Sequence, residues 1–334
     1  MAGRRTNIAL LWLLAAAFLT GTLAFAIGVG WGRWIVLAHG VAGFAIVALA
    51  PWKSMIAGRG LRRRRPGRSA SVAFSILVVV ALMFGVLHAS GAPQILGITA
   101  MQVHVGAALL AIPLFVSHVK ARRSRAHTTD LTRRNALRAG ALLGGAGALY
   151  AVAEGSVRLA RLPGAGRRFT GSLETGSWRP EAMPITQWLD DDVPSIRTHD
   201  WRLTVRSDRG EREWTYEELH DFHDVLEATL DCTGGWYAAQ RWEGAWLSRL
   251  LDGPQTGASV VVTSATGYSR RFPVGEAGRL LVATRVGDHP LSAGHGFPLR
   301  IVAPGRRGFW WVKWVRAIEV SGAPWWAQPP FPLT

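Results

Sequence analysis

Hydrophobic and polar positions divide this chain into two unlike halves. From Ile8 to Val119 long apolar stretches alternate with short polar ones, whereas beyond Gly166 apolar residues come in brief alternating runs broken by Gly and Pro. Four stretches, Ile8–Val29, Trp34–Trp52, Val72–His88 and Ile95–Val119, are each long enough to cross a hydrocarbon layer of roughly 30 Å at about 1.5 Å per helical residue. A fifth, Ala136–Ala153, is weaker and rich in Gly and Ala. The pattern predicts a multi-domain chain: a four-helix transmembrane domain over 1–125, a fifth helix and linker over 126–168, and a further domain over 169–334. The first part is an all-α transmembrane bundle.

The last part reads as mixed α+β and β-rich. Trp201–Val205 alternates as a strand, and Glu213–Leu219 opens a helix behind a capping Thr. Alternating runs recur at Ser259–Thr263, Leu280–Thr284, Leu299–Val302 and Val312–Val320, with Gly and Pro between them. About 165 residues suffice for one core.

Charge changes the picture of the first half. The formal net charge of +16 is concentrated there, in runs such as Arg62 to Arg65 and Lys120, Arg122 and Arg123. Such runs suit nucleic acid or a membrane surface. Each lies directly beside an apolar stretch, so they are read as topogenic residues meeting anionic lipid, with the bilayer as partner and no nucleic acid. The positive-inside rule then puts the N-terminus in the cytoplasm and the short connections near Gly30–Arg33 and Ala89–Gln94 outside. A fifth crossing leaves the C-terminal domain on the outer side of a multi-pass cell-membrane protein. Thr132-Arg133-Arg134-Asn135-Ala136-Leu137 resembles a twin-arginine export signal set inside the chain, a route taken by domains folded around a cofactor. The alternative is an ordinary pair of topogenic arginines. Ala151-Val152-Ala153 also suits a peptidase, though retention of the helix as an anchor is expected.

Histidines in membrane helices are costly and so are functional candidates. His39, His88, His104 and His118 fall in or at the ends of these segments. His104 and His118 are fourteen residues apart, close to four turns, which places them on one face roughly 21 Å apart. That spacing resembles membrane b-type cytochromes, in which paired histidines hold haem. His39 and His104 match in depth near the outer surface and are the candidate ligands of one haem, with His88 as an alternative. A second, inner haem has His118 on one side, but fourteen residues after His39 stands Lys53 rather than histidine. The bland alternative is histidines bonded to backbone carbonyls or interfacial water.

The single cysteine, Cys232, stands in Leu230-Asp-Cys-Thr-Gly-Gly-Trp236-Tyr-Ala-Ala-Gln-Arg-Trp242-Glu-Gly244. Further on come Gly294-His-Gly-Phe-Pro-Leu-Arg300, then Pro304-Gly305, then Gly308-Phe-Trp-Trp-Val-Lys313-Trp314. Together these stretches resemble the molybdopterin domain of the sulfite oxidase family, which includes periplasmic methionine-sulfoxide reductase catalytic subunits. The resemblance covers Phe169 to Val320. It implies a molybdenum–molybdopterin cofactor, with the Cys232 thiolate as the soft ligand on the metal. It also implies Arg300 and Lys313 as receptors of the pterin phosphate. His295 is expected to donate to the pterin or its phosphate, and Thr233 to sit beside the cofactor. Gly305, with Gly294, Gly296 and Gly308, is expected to admit the cofactor close to the backbone. Tyr268 resembles a tyrosine that faces the metal, where it would donate to a metal-bound oxygen or to substrate; a packed tyrosine is the alternative.

Sulfite oxidases follow their cysteine with a basic run; here Thr-Gly-Gly-Trp-Tyr follows Cys232. The expected function is therefore a redox enzyme passing electrons between membrane quinone or quinol, b-type haem and molybdenum. Its substrate would be an oxidised sulfur compound or similar small oxo-molecule outside the membrane. The alternatives are the same machine reversed, oxidising a substrate such as sulfite, and a non-catalytic electron-transfer membrane protein. Trp325 and Trp326 near the end are read as packing within the domain or, in the sharper alternative, as lying against the membrane domain or the outer lipid surface.

Overall fold

The computed structural model describes residues 2–61, 67–94, 96–121, 127, 130, 132–187, 191–329 and 331. The basic runs at Arg62 to Arg65 and Arg122 to Arg123, and the proposed helix start at Ile95, lie outside the described residues. Two compact units emerge: Met1–Phe25 with Gly30–Leu173, and Ala26–Val29 with Glu174–Thr334.

The first unit is five helices: α1 (Ala2–Ala26), α2 (Arg33–Leu61), α3 (Arg68–Ser90), α4 (Ala100–Ala121) and α5 (Arg133–Leu159). All five are long and apolar enough to cross a membrane. They run past the apolar stretches into the basic flanks, because helical hydrogen bonding does not stop where hydrocarbon would end. Pro51 and Pro113 are accommodated inside α2 and α4. Large apolar side chains such as Trp12, Ile76 and Leu110 face outward, inverting the pattern of a water-soluble bundle. Inside, α3 packs on α4 and α2 on α5. Phe74 of α3 meets Phe115 of α4, and Phe44 of α2 meets Tyr150 of α5 edge-on.

The second unit carries β1 (Leu173–Glu174), β2 (Leu203–Ser207), β3 (Gly210–Trp214), α6 (Tyr216–His220), β4 (Asp224–Asp231), β5 (Trp236–Trp246) and α7 (Leu247–Leu250). It continues with β6 (Ser259–Ser264), β7 (Ser269–Pro273), β8 (Leu281–Val286), β9 (His289–Pro290), β10 (Arg300–Val302) and β11 (Val315–Ser321). One sheet follows the order β1-β5-β8-β10, with β4 paired to β5 and β9 to β8; the other runs β3-β2-β11-β6-β7. In the second sheet β11 is central, parallel to β2 and antiparallel to β6. The core draws on both sheets, with Trp242, Phe272, Leu281, Ile301 and Ile318 fully buried. Along β5 burial alternates up to Trp242, and then a bulge between Glu243 and Gly244 shifts its register against β8.

Two expected elements start later than the sequence pattern suggests. Trp214 pairs with Leu203 at the end of β3, so the helix begins only after Thr215, which caps it reciprocally with Glu218. The strand expected from Val312 begins at Val315, because Trp314 takes a left-handed φ of 52° that breaks the extended run. Trp310 and Trp311 are buried in the core. Trp325 meets Trp310 with the rings tilted at 53° and lies under Arg306, leaving Trp326, 68% exposed, as the outward tryptophan of the tail.

Candidate active site

The β4–β5 hairpin delivers the thiol. At its tip the amide of Cys232 donates to the Trp236 carbonyl at 2.9 Å, and the amide of Gly235 donates to the Cys232 carbonyl at 3.2 Å. Cys232 ends up buried, and the Gly234 amide donates to its Sγ at 3.3 Å. Burial pushes the thiol pKa up; the Gly234 amide and the positive charges of Arg307 and Lys313 oppose that.

The sulfur lies in a cleft of about 680 Å³, partly open to solvent, whose lining includes Thr186, Cys232, Thr233, Tyr268, His295, Arg300 and Lys313. These come from distant parts of the chain and are joined by the loops that follow β9 and β10. Arg300 is almost completely buried, 1% exposed, between the rings of Trp242 and Trp311. Its only acceptors among the described residues are carbonyls, His295 O at 3.0 Å and Trp311 O at 3.5 Å, and its Nε has none. Lys313 Nζ donates to the carbonyls of Thr186 and Gly294 and to Gln187 Oε1. Neither cation forms an ion pair among the described residues. Burial lowers the pKa of Arg300 to about 9 and, with the Arg300 charge added, that of Lys313 to about 7. A buried and a half-buried cation with no ion-paired carboxylate among the described residues are costly unless an anion joins them.

This donor set fits a phosphate-bearing pterin. Arg300 Nε and Gln187 Nε2 are buried donors without partners, as an absent acceptor would leave them. Among the described residues no group of three or more His, Cys, Asp or Glu side chains can hold a metal. For a metal bound by Cys232, a cofactor such as a dithiolene pterin would supply the other ligands. Gly308 makes room: a Cβ there would come within 3.1 Å of the Cys232 Cα.

Three expected roles change. His295 has both ring nitrogens engaged, Nδ1 with Ser292 Oγ at 2.8 Å and Nε2 with the Met183 carbonyl at 3.1 Å. The carbonyl requires Nε2–H, so Nδ1 accepts from Ser292, and burial beside Arg300 and Lys313 holds the pKa at about 4. His295 is thus a neutral brace for the loop carrying Arg300, with no proton left to donate to a pterin. Tyr268 donates its hydroxyl proton to the Phe309 carbonyl, and burial pushes its pKa up, so it offers the cleft an acceptor rather than a donor. Gly305 occupies a turn with φ 75°, outside the cleft lining, and Gly308 is the glycine that packs against the Cys232 backbone. Residues not anticipated are Thr186 and Gln187, which lie in the irregular segment between β1 and β2. Trp236 was part of the motif but had no role; its Nε1 donates to Thr186 Oγ1 at 3.0 Å.

In the helical unit the structure brings His39 and His104 together, their rings edge-on with centroids 5.8 Å apart. At about 2 Å per metal–nitrogen bond, two coaxial imidazoles keep their centroids on the order of 6 Å apart across a metal. His39 Nδ1 faces the Ala17 carbonyl at 3.0 Å and His104 Nδ1 the Ala81 carbonyl at 2.7 Å. A carbonyl partner fixes the Nδ1–H tautomer and leaves Nε2 as the lone-pair donor that iron needs. Gly21 and Gly85 let the neighbouring helices approach these rings, since a Cβ at either would lie 3.0–3.1 Å from one. His88 lies against Gly171, His118 Nδ1 meets Ser71 Oγ at 3.0 Å, and Lys53 donates to Asn7 at 2.9 Å.

Comparison with known proteins bears on this geometry. Residues 190–328 match the oxidoreductase molybdopterin binding domain. Mouse mitochondrial sulfite oxidase is 28% identical over 169 residues, covering 39% of this chain and 30% of the relative. The Drosophila melanogaster sulfite oxidase is 34% identical over 165 residues, covering 39% and 28%. A putative protein-methionine-sulfoxide reductase subunit, YedZ1 of Azospira oryzae, is 25% identical over 141 residues, covering 40% and 54%. The chain thus spans less than a third of the sulfite oxidases it matches and about half of the Azospira protein. Fold, cleft and match together define a molybdopterin-binding oxidoreductase domain. Its similarity is to the sulfite oxidase family.

Proposed function

We propose that this chain is a membrane-bound, molybdenum-dependent oxidoreductase that takes electrons from membrane quinol through a b-type haem and reduces an oxidised-sulfur oxo-substrate on the outer side of the membrane. The observation that carries the reading is the cleft in which one buried thiol shares the lining with a buried arginine and a half-buried lysine that form no ion pair among the described residues. A bound molybdenum–pterin group supplies two-electron oxygen-atom exchange. The protein's own part is to ligate the metal through Cys232 and to hold the cofactor phosphate on Arg300 and Lys313. Haem between His39 and His104 would supply one-electron relay to the quinol side.

The cleft favours a neutral substrate. With Arg300 and Lys313 assigned to the phosphate, the remaining lining near the thiol is Trp236, Tyr268, Phe309 and Trp311 with Thr186, Thr233 and the acid Asp191. Among the described residues no further cation lines it, so an anion such as sulfite finds no receptor there, whereas a sulfoxide finds an apolar wall and the threonine hydroxyls as donors. The name of the Azospira relative agrees with this direction. The names of the sulfite oxidases favour the reverse reaction, oxidation of sulfite with electrons passed inward.

The test is to purify the protein from membranes, assay molybdenum and haem, and screen sulfoxides, N-oxides and sulfite. Molybdenum with haem, and sulfoxide-dependent haem oxidation, are expected. Haem reduction by sulfite without any sulfoxide turnover would establish the reverse direction, and absence of molybdenum would sink the proposal.

A further inference from the structure

Beside the thiol lies a charge pair that the cofactor contacts do not use. Arg307 Nη1 donates to Asp231 Oδ1 at 2.7 Å, and the two side chains are 2% and 4% exposed. The same guanidinium donates through Nη2 to the Cys232 carbonyl at 3.2 Å. Asp231 and Arg307 also meet as an isolated parallel bridge. Gly308, the next residue, closes on the Cys232 Cα. The backbone of the thiol-bearing residue is thus held by the loop after β10 through a side-chain pair, a main-chain bridge and a close glycine contact.

Stability alone does not account for the pair. Desolvating two charges costs about what their attraction returns, so apolar replacements of similar volume are often no less stable. Its position suggests another use. Arg307 places a positive charge near the sulfur and Asp231, one residue before Cys232, neutralises it; in this low-dielectric surrounding neither charge is strongly screened. Of the cations acting on the sulfur, Arg307 acts more strongly than Lys313.

We infer that Asp231 and Arg307 are positioning residues for the metal-ligating thiolate: the pair fixes the main chain of Cys232 and, through its internal charge balance, sets the reduction potential of the metal that Cys232 binds. The inference rests on the molybdenum reading above. Its sign follows from electrostatics. Reduction adds negative charge at the metal. Asp231→Asn exposes the Arg307 charge, favours the reduced state and raises the midpoint potential. Arg307→Gln removes a positive charge near the sulfur and lowers it. The double variant is neutral again and returns close to the wild-type value.

The experiment is a potentiometric titration of the molybdenum EPR signal in the purified full-length protein, with metal content measured alongside. Opposite shifts in the two single variants and recovery in the double variant are expected. Shifts of the same sign, or none, would overturn the inference, since a purely structural role has no reason to change sign. Should a single variant fail to load metal, loading is compared instead. Loading regained in the double variant supports the pair as a unit, and loss persisting there overturns it. Wild-type protein without molybdenum would overturn the functional reading and this inference with it; molybdenum-loaded protein without the shifts overturns this inference alone.

Discussion

Cys232 is the only sulfhydryl in the chain, so its replacement has no second thiol to confuse it. Cys232→Ser keeps the shape of the hairpin tip but offers a hard hydroxyl to a soft metal. We expect a folded protein that retains its pterin on Arg300 and Lys313 and has lost turnover; near-normal activity at full molybdenum loading would refute the ligand assignment. Lys313 carries a pH prediction. Its folded pKa is about 7 against an ordinary 10.5, so between those values the unfolded chain binds the extra proton and stability rises with pH. Cofactor-free protein should therefore melt at higher temperature at pH 9 than at pH 7 as far as this residue contributes. Cofactor capture, which needs the charged lysine, should weaken over the same range. Lys313→Met should flatten both trends in thermal melting and in reconstitution assays. At this scale the site was legible wherever the chemistry demanded a particular residue type: Cys232, Arg300 and Lys313 converge as their motifs suggest. The roles of His295 and Tyr268 were not legible. What each hydrogen-bonds depends on Met183 and Phe309, which are remote in sequence from them.

Among the elements, the membrane helices were readable because insertion in hydrocarbon demands an unbroken apolar run. Their ends were not, since nothing in the pattern distinguishes a helix that stops from one that continues into water. The two helices α2 and α4 carry the proposed haem ligands. His39→Ala or His104→Ala should remove the haem absorbance of purified protein while molybdenum content stays unchanged. His118→Ala should leave a haem band, because His118 meets Ser71 and lies against Phe74, away from the His39–His104 pair. Loss of all haem in that variant would show that the ligand pair is misassigned. Helix α5 opens with Arg133 and Arg134 immediately after its Thr132 cap. Cations at a helix N-terminus oppose the helix dipole, so this pair does not serve helix stability. Replacing both by lysine keeps the charge and the positive-inside signal. If the pair is a twin-arginine signal, protease added outside should no longer reach the C-terminal domain; continued cleavage would make it topogenic only.

Across the whole molecule, charge and fold divide at nearly the same place. Of 22 acidic residues only Asp130 and Glu154 stand before Glu174, which is why composition alone separated the halves. The pairing of β2 with β11 was beyond such reading: Thr204 lies opposite Ala317, and no local pattern predicts a partner that far along the chain. That pairing bears on the order of events during synthesis. The central strand of the second sheet is made after β2, β3, β6 and β7, so both hairpins precede the strand that joins them. A contact so distant in sequence also forms slowly. Lys313, two residues before β11, reaches the cleft only when that strand docks. Completion of the cleft therefore follows synthesis of β11, by which time α1 to α5 have long since been made. If the arginine pair at the head of α5 is an export signal, it is made well before the domain behind it can fold, and the machinery that reads it must wait for β11.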